Sequence, residues 1–251
     1  MQLLTTRNPK TAKGEGHGYV THAMHLAPSD LSGYQACPMA TAGCRAACLN
    51  TAGRGGIKPG HGVLSADEVA AGHTNHIQAA RIRRTQWFFE DRKAFMAQLV
   101  GEIQREVRKA RKHGVEPVFR LNATSDIGWE KIRCERDGVS YRNIMQAFPD
   151  VTFYDYTKIP LRKVPDNYHL TFSLAEDNDQ QAALALANGM TVAVVFRKQL
   201  PSEFWIGQVA ADVINGDEND LRFEDAAGVI VGLKAKGNAK KDTSGFVREA
   251  A

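Results

Sequence analysis

Three cysteines, Cys37, Cys44 and Cys48, fall within twelve residues of one another in CPMATAGCRAACLN, and a fourth, Cys134, stands alone. Thiols this dense, in a chain whose start carries no export pattern, read as ligands rather than as a disulfide framework. Soft thiolate sulfur suits iron–sulfur clusters and zinc. Three cysteines in one loop bind three irons of a four-iron cluster, and the fourth iron then takes a distant residue, solvent or a substrate. Zinc sites more often show two paired CxxC or CxxH elements, which are missing here. A Cys44–Cys48 disulfide is sterically possible but labile in a reducing cytosol. The favoured reading is a [4Fe-4S] cluster on Cys37, Cys44 and Cys48, with zinc or inert or redox thiols as the alternatives. Cys134 is a candidate fourth ligand, set against a buried free cysteine that behaves as a small hydrophobe. His22, His25, His61, His73 and His76 flank the loop as further candidates, set against ordinary surface or core histidines.

Such a loop needs a scaffold. A strand is expected over Tyr19 to Leu26, broken at Pro28. The cysteine loop follows at about 28–62, rich in glycine and alanine, which lets backbone and thiolates crowd round a compact object. Ser65 is an N-cap signal for SADEVAAG, and a helical period continues, with a possible break at Gly72, to a stop at Gly114. Phe88, Phe95, Leu99, Ile103 and Val107 mark its apolar face. Strands are expected at 116–124, 151–157, 168–176, 190–197, the later part of 205–216, and 228–235. Helices are expected at 140–148, with a Ser cap, and at 177–189. Strand–helix alternation with continuous apolar strands predicts an α/β fold with a mainly parallel sheet of six or seven strands, as an open sheet or a partial (β/α) barrel. No linker divides the chain, so residues 1–251 read as one domain with a Lys/Gly-rich tail at about 233–251.

In such folds chemistry gathers at the carboxyl ends of the strands. Those ends carry Asn122, Ser125 and Asp126, then Asp155, Tyr156 and Lys158, then Ser173, Glu176 and Asp177. Arg197, Asn215, Asp217, Lys234 and Lys236 follow. Individually these are as readily solvated loop residues, but together they would line a polar mouth.

The chain has 251 residues, 43% hydrophobic and 24% charged, with a net charge of +4. That length buries a core without disulfide or metal staples, and no apolar run is long enough to span a membrane. MQLLTTRNPKTAKGEG has basic residues but no apolar central region, so a cytoplasmic location is expected rather than export. The mild positive charge permits a phosphate-bearing partner without requiring one.

A three-cysteine loop directly after the first strand of an α/β chain resembles the radical S-adenosylmethionine (SAM) enzymes. The resemblance implies a partial barrel carrying a four-iron cluster with one iron open to SAM. It makes Asn122, Asp126, Ser173 and Asp217 candidate contacts for SAM or substrate. Here the spacing is CxxxxxxCxxxC where those enzymes usually have CxxxCxxC. The second strand ends in NATSD where they place a glycine-rich acidic element. The chain as a whole, with ACPMATAGCRAACLNTAGRG, DVINGDENDLRF and GVIVGLKAKGNAKKDTSGFV, is similar to the phage gene product 88-like family. That similarity implies a phage or prophage origin and expression in a bacterial host's cytoplasm.

Two basic stretches offer other chemistry. RIRRTQWFFEDRK could track a nucleic-acid backbone, though on a helix its aromatics fit a buried face better. REVRKARKHG is a basic helix end that the helix dipole favours without any ligand. LKAKGNAKKDTSG lacks the order of a phosphate-binding loop and reads as a flexible flap over the mouth. Three functions follow: a cluster enzyme that reductively cleaves SAM; a redox, sensing or structural cluster protein that acts through a small-molecule or host-protein partner; or a zinc-stabilised nucleic-acid-binding module.

Overall fold

The computed structural model describes residues 1–6, 16–57, 68, 71–73 and 75–250. The helix start expected at Ser65 and the candidate ligand His61 lie outside the described residues. Among the described residues the apolar runs pair into a ten-stranded sheet. Its strands are β1 (Leu4–Thr5), β2 (Tyr19–Met24), β3 (Glu116–Arg120), β6 (Thr152–Thr157), β7 (Tyr168–Ser173), β8 (Val192–Phe196), β9 (Glu203–Ile206), β10 (Val209–Asn215), β11 (Ile230–Lys234) and β12 (Val247–Arg248). A separate antiparallel hairpin holds β4 (Cys134–Arg136) and β5 (Val139–Tyr141).

The sheet order is β1-β2-β3-β6-β7-β8-β11-β10-β9, with β12 also pairing to β8. From β2 to β8 every neighbouring pair is parallel, and each strand lies beside the preceding strand of the sheet. Parallel pairs continue through β11 and β10, while β1 and β9 run antiparallel at the two edges. The result is a mixed α/β architecture with a mostly parallel sheet that does not close into a barrel. It has more strands than the six or seven expected. β1 and β12 are two-residue pieces too short for an alternating pattern, and β9 is split from β10 by a turn at Gly207 (φ +60°).

Five helices bridge these strands among the described residues: α1 (Ala42–Ala46), α2 (His76–Glu90), α3 (Arg92–Lys112), α4 (Ile144–Ala147) and α5 (Asp179–Ala187). The long helical period ending at Gly114 is two helices rather than one. Asp91 leaves the helical region (φ −137°, ψ 71°) and its carboxylate accepts from Ala94 N, so a local cap competes with continued helix. The helix expected from Ser140 shrinks to α4, because Ser140 joins the hairpin and Asn143 caps the helix through Gln146 N at 2.9 Å. Asp137 and Gly138, both at positive φ, make the hairpin turn.

The main core lies where α2 and α3 meet β2, β3 and β6, and includes Phe88, Phe95, Leu99, Ile103, Phe119 and Phe153. Each aromatic buried there contributes about 1.5–3 kcal/mol of transfer free energy. A second core packs Ala182, Ala185 and Leu186 of α5 against Phe172, Val192, Val194 and Ile230. Buried Glu102 of α3 accepts from Leu3 N and Leu4 N at 2.9 and 2.8 Å and so fastens the edge strand β1.

Phe119 is fully buried, stacked on His22 at 5.0 Å and packed against Phe153 at 5.7 Å. Phe119→Ala is expected to destabilise the chain by about 3–5 kcal/mol, read as a lower urea midpoint with an unchanged slope.

Candidate functional site

The cysteine loop leaves β2 and is tied down along its length. Ala36 N donates to Ser29 O at 2.8 Å, and Asp126 N, from the loop after β3, donates to Ala36 O at 2.9 Å. Thr41 caps α1, its hydroxyl accepting from Cys44 N at 3.1 Å. The same hydroxyl donates to Glu176 Oε2 at 2.7 Å, and Gly43 N donates to Glu176 Oε1 at 2.6 Å. Glu176 follows β7, so one carboxylate bolts the cysteine-bearing helix to the end of the sheet. The fit requires glycine at position 43: a Cβ there would lie 2.8 Å from Glu176 Oε2 and would overlap Ser244 Oγ. Beyond Cys48, buried Asn50 is clipped to α2 by Gln78 (2.8 Å) and by Arg81 Nη1 (2.6 Å).

The loop after β3 is ordered by its own polar groups. The Asn122 carbonyl oxygen accepts from Ser125 Oγ (2.8 Å), Ile127 N (2.9 Å) and Trp129 Nε1 (3.1 Å), and its amide donates to Ile127 O. Asp126 accepts from Thr157 Oγ1 and Lys158 N, both at 2.8 Å, and from Arg162 Nη1 at 3.2 Å. Behind them Asp155, fully buried, accepts from Asn122 N at 2.7 Å and Tyr168 Oη at 2.9 Å.

These loops enclose a cavity of about 570 Å³ at the carboxyl ends of the parallel strands. Cys37, Cys44 and Cys48 line it, and so do Asn122, Asp126, Ser173 and Asp217. The structure therefore brings three of the four cysteines and all four candidate SAM or substrate contacts to one place. Cys134 is elsewhere: it is buried in the main core, paired across the hairpin with Tyr141. His22 and His25 are also absent from the cavity wall, as are His73 and His76. Burial holds His22 at about 4 and His25 at about 3, the latter helped by Arg81, Arg120 and Arg84.

Burial dominates the thiols as well. It pushes Cys37 up to about 12, and the neighbouring Cys48 and Cys44 add to the shift. Cys48 is pushed up to about 11, while Asn50 N, Lys158 and Arg81 pull the other way. Among the described residues, no three His, Cys, Asp or Glu side chains gather tightly enough to hold one metal ion.

Arg81 and Arg120 are the participants that sequence patterning missed. Arg81 is 8% exposed and lies beside Cys48. Arg120 lines the cavity from β3, and an arginine inside the apolar run EPVFRLN was its available signal. The aromatics of RIRRTQWFFEDRK are taken up by packing: Phe88 is buried, and Trp87 and Phe89 rest on the core. The tail expected to be a flap is docked. Asp242 accepts from Val247 N at 3.0 Å and from Ser244 Oγ at 2.6 Å, and Ala239 and Phe246 form cavity wall. No helix among the described residues is long and apolar enough to cross a membrane.

The family model described as Gene product 88 matches residues 2–250. No curated protein and no solved structure matches the chain.

Burial raises the Asp155 carboxyl from 3.8 to about 7. The folded chain thus binds this proton more tightly than the unfolded chain. The stabilisation is complete below about pH 3.8 and lost as pH climbs through 7. Asp155→Asn keeps the acceptor for Asn122 N without the titration. Its Tm relative to wild type is expected to rise between pH 4 and pH 7 in thermal melts, with the histidines common to both proteins cancelling.

Proposed function

This chain belongs to the gene product 88 family, and we propose that it binds a [4Fe-4S] cluster through Cys37, Cys44 and Cys48, with the fourth iron facing the adjoining cavity. The observation that carries this reading is the convergence of three thiols on the wall of one cavity above a parallel sheet, with no fourth cysteine or histidine on that wall among the described residues. The donor set is all sulfur, which suits iron. A lone zinc ion, with Zn–S bonds of about 2.3 Å, needs its ligands drawn into a tight group. Buried Arg81 and half-buried Lys158 beside Cys48 offset the negative charge that three thiolates bring to a cluster.

When bound, such a cluster supplies a one-electron centre with an open iron site. The chain's own residues do the rest. Glu176 holds the cysteine helix in place, Asn122 and Asp126 stiffen the neighbouring loop, and the tail completes the wall that limits water. Strands laid down in sequential order from β2 to β8 are consistent with the radical-SAM-like arrangement, and reductive SAM cleavage is the activity proposed. A phage protein of this kind would work in the reducing cytoplasm of its host.

One observation favours a second reading, a cluster protein without SAM. The Asn122 amide is fully engaged within its own loop, and Asp126 is held by Thr157, Lys158 and Arg162. Neither side chain is spare for a methionine amine.

Anaerobically purified protein is expected to be brown, with about four irons and about four sulfides per chain. Ala at Cys37, Cys44 or Cys48 should abolish the colour, while Cys134→Ala should keep it. A colourless chain holding about one zinc would overturn the cluster. Release of methionine and 5′-deoxyadenosine after reduction separates the SAM enzyme from the second reading.

Loss of the Glu176 carboxylate removes two charge-assisted hydrogen bonds to the cysteine helix. Glu176→Ala is therefore expected to lower iron content per chain several-fold in the same assay, with its far-UV circular dichroism unchanged.

A further inference from the structure

Away from the thiols, the cavity wall combines aliphatic surface with cations. Leu31, Leu49, Leu174, Val195, Leu233 and Phe246 supply the apolar part. Most of the cations are committed. Arg45 pairs with Asp30 at 3.1 Å, Arg120 with Asp220 at 2.7 Å, and Lys236 with Asp217 at 2.6 Å. Arg120 is further fixed over the Tyr156 ring, 4.7 Å from its centroid.

Lys158 differs. Its backbone N–H is anchored on Asp126 at 2.8 Å, which sets where the side chain starts. Among the described residues its ammonium has no carboxylate within ion-pair distance. It stands over the Phe246 ring, 5.6 Å from Nζ to the centroid. Lys158 is half-buried, lines the cavity, and lies near enough for its charge to act on Cys48. An ammonium outside any ion pair in a largely aliphatic recess is a site for a ligand's negative group.

We propose that the cavity takes an organic anion, with its carboxylate or phosphate on Lys158 and its apolar body along the aliphatic wall towards Phe246. The inference rests on the proposed function in treating this cavity as the substrate site, and it names that substrate's class. A volume of about 570 Å³ suits a single small organic molecule. The anion is held on the side of the cavity that carries Cys48. Paired Arg120 and Lys236 shape the recess without competing for the same charge.

The test uses two fluorescent probes of similar shape on the full chain: 1-anilinonaphthalene-8-sulfonate, which is anionic, and N-phenyl-1-naphthylamine, which is neutral. Saturable binding of both to wild type is expected. Lys158→Gln should weaken the anionic probe about tenfold, leave the neutral probe within twofold, and leave Tm unchanged. Lys158→Arg should restore most of the anionic affinity. Octanoate and octyl phosphate, at equal concentration, should displace the anionic probe better than octanol, and whichever is the stronger identifies the head group. Equal weakening of both probes, unchanged anionic affinity in Lys158→Gln, or equal displacement by octanol would overturn the proposal. If Lys158→Gln does not fold, salt titration of wild type decides: only the anionic probe should weaken as salt rises, and parallel behaviour of the two probes sinks the idea. Iron counted on the same preparations keeps the two proposals apart. Anion preference in an iron-free chain removes the cluster alone, and an iron-loaded chain without that preference removes this inference alone.

Discussion

The Glu176 carboxylate joins two parts of the chain that have no other reason to meet in register. It accepts from the Thr41 hydroxyl and the Gly43 amide, while Thr41 in turn caps the helix that carries Cys44. A five-residue helix has almost no stability of its own, so its position comes from outside. Glu176 supplies that position from the end of β7, where the backbone is fixed by its neighbours in the sheet. Gly43 permits the close approach, and Ser244 packs on the same atom. The spatial relation of the thiols to the strand ends depends on this junction.

Around it the polar groups divide into those that build and those left over. Asn122, Asp155 and Tyr168 form a buried chain of hydrogen bonds beneath the floor of the cavity, and Asp126 joins the loop after β3 to the end of β6. Burying these groups is tolerable because nearly every donor finds an acceptor. Among the described residues, the Lys158 ammonium faces the cavity outside this frame. A rigid frame with a small reactive remainder is the arrangement that positions chemistry well.

The strands were legible as short, mostly buried runs rich in β-branched and aromatic residues: 151–157, 168–176 and 190–197 all appear within a few residues of their expected limits. The gathering of Cys37, Cys44, Cys48, Asn122, Asp126, Ser173 and Asp217 was legible too, since parallel strands bring their carboxyl ends to one side. Other features depend on contacts between distant residues and leave little local trace. The break at Asp91 is a capping choice, and Cys134 faces the core because a hairpin, signalled only by Asp137-Gly138, turns it away from the cavity. β12 is two residues long and exists only because β8 offers it an edge.

That last strand has a wider meaning. β7 pairs with β8 only at Val192 and Ala193, and β11 occupies the whole of the other side of β8. Val247 and Arg248 therefore enter on the β7 side, where the two strands part. The cavity wall is thus completed by a segment, with Phe246 at its lining, about two hundred positions beyond the cysteines. On a ribosome, the thiols emerge early and wait, uncovered, until the final strand is made. Contacts of such long sequence separation form late and slowly.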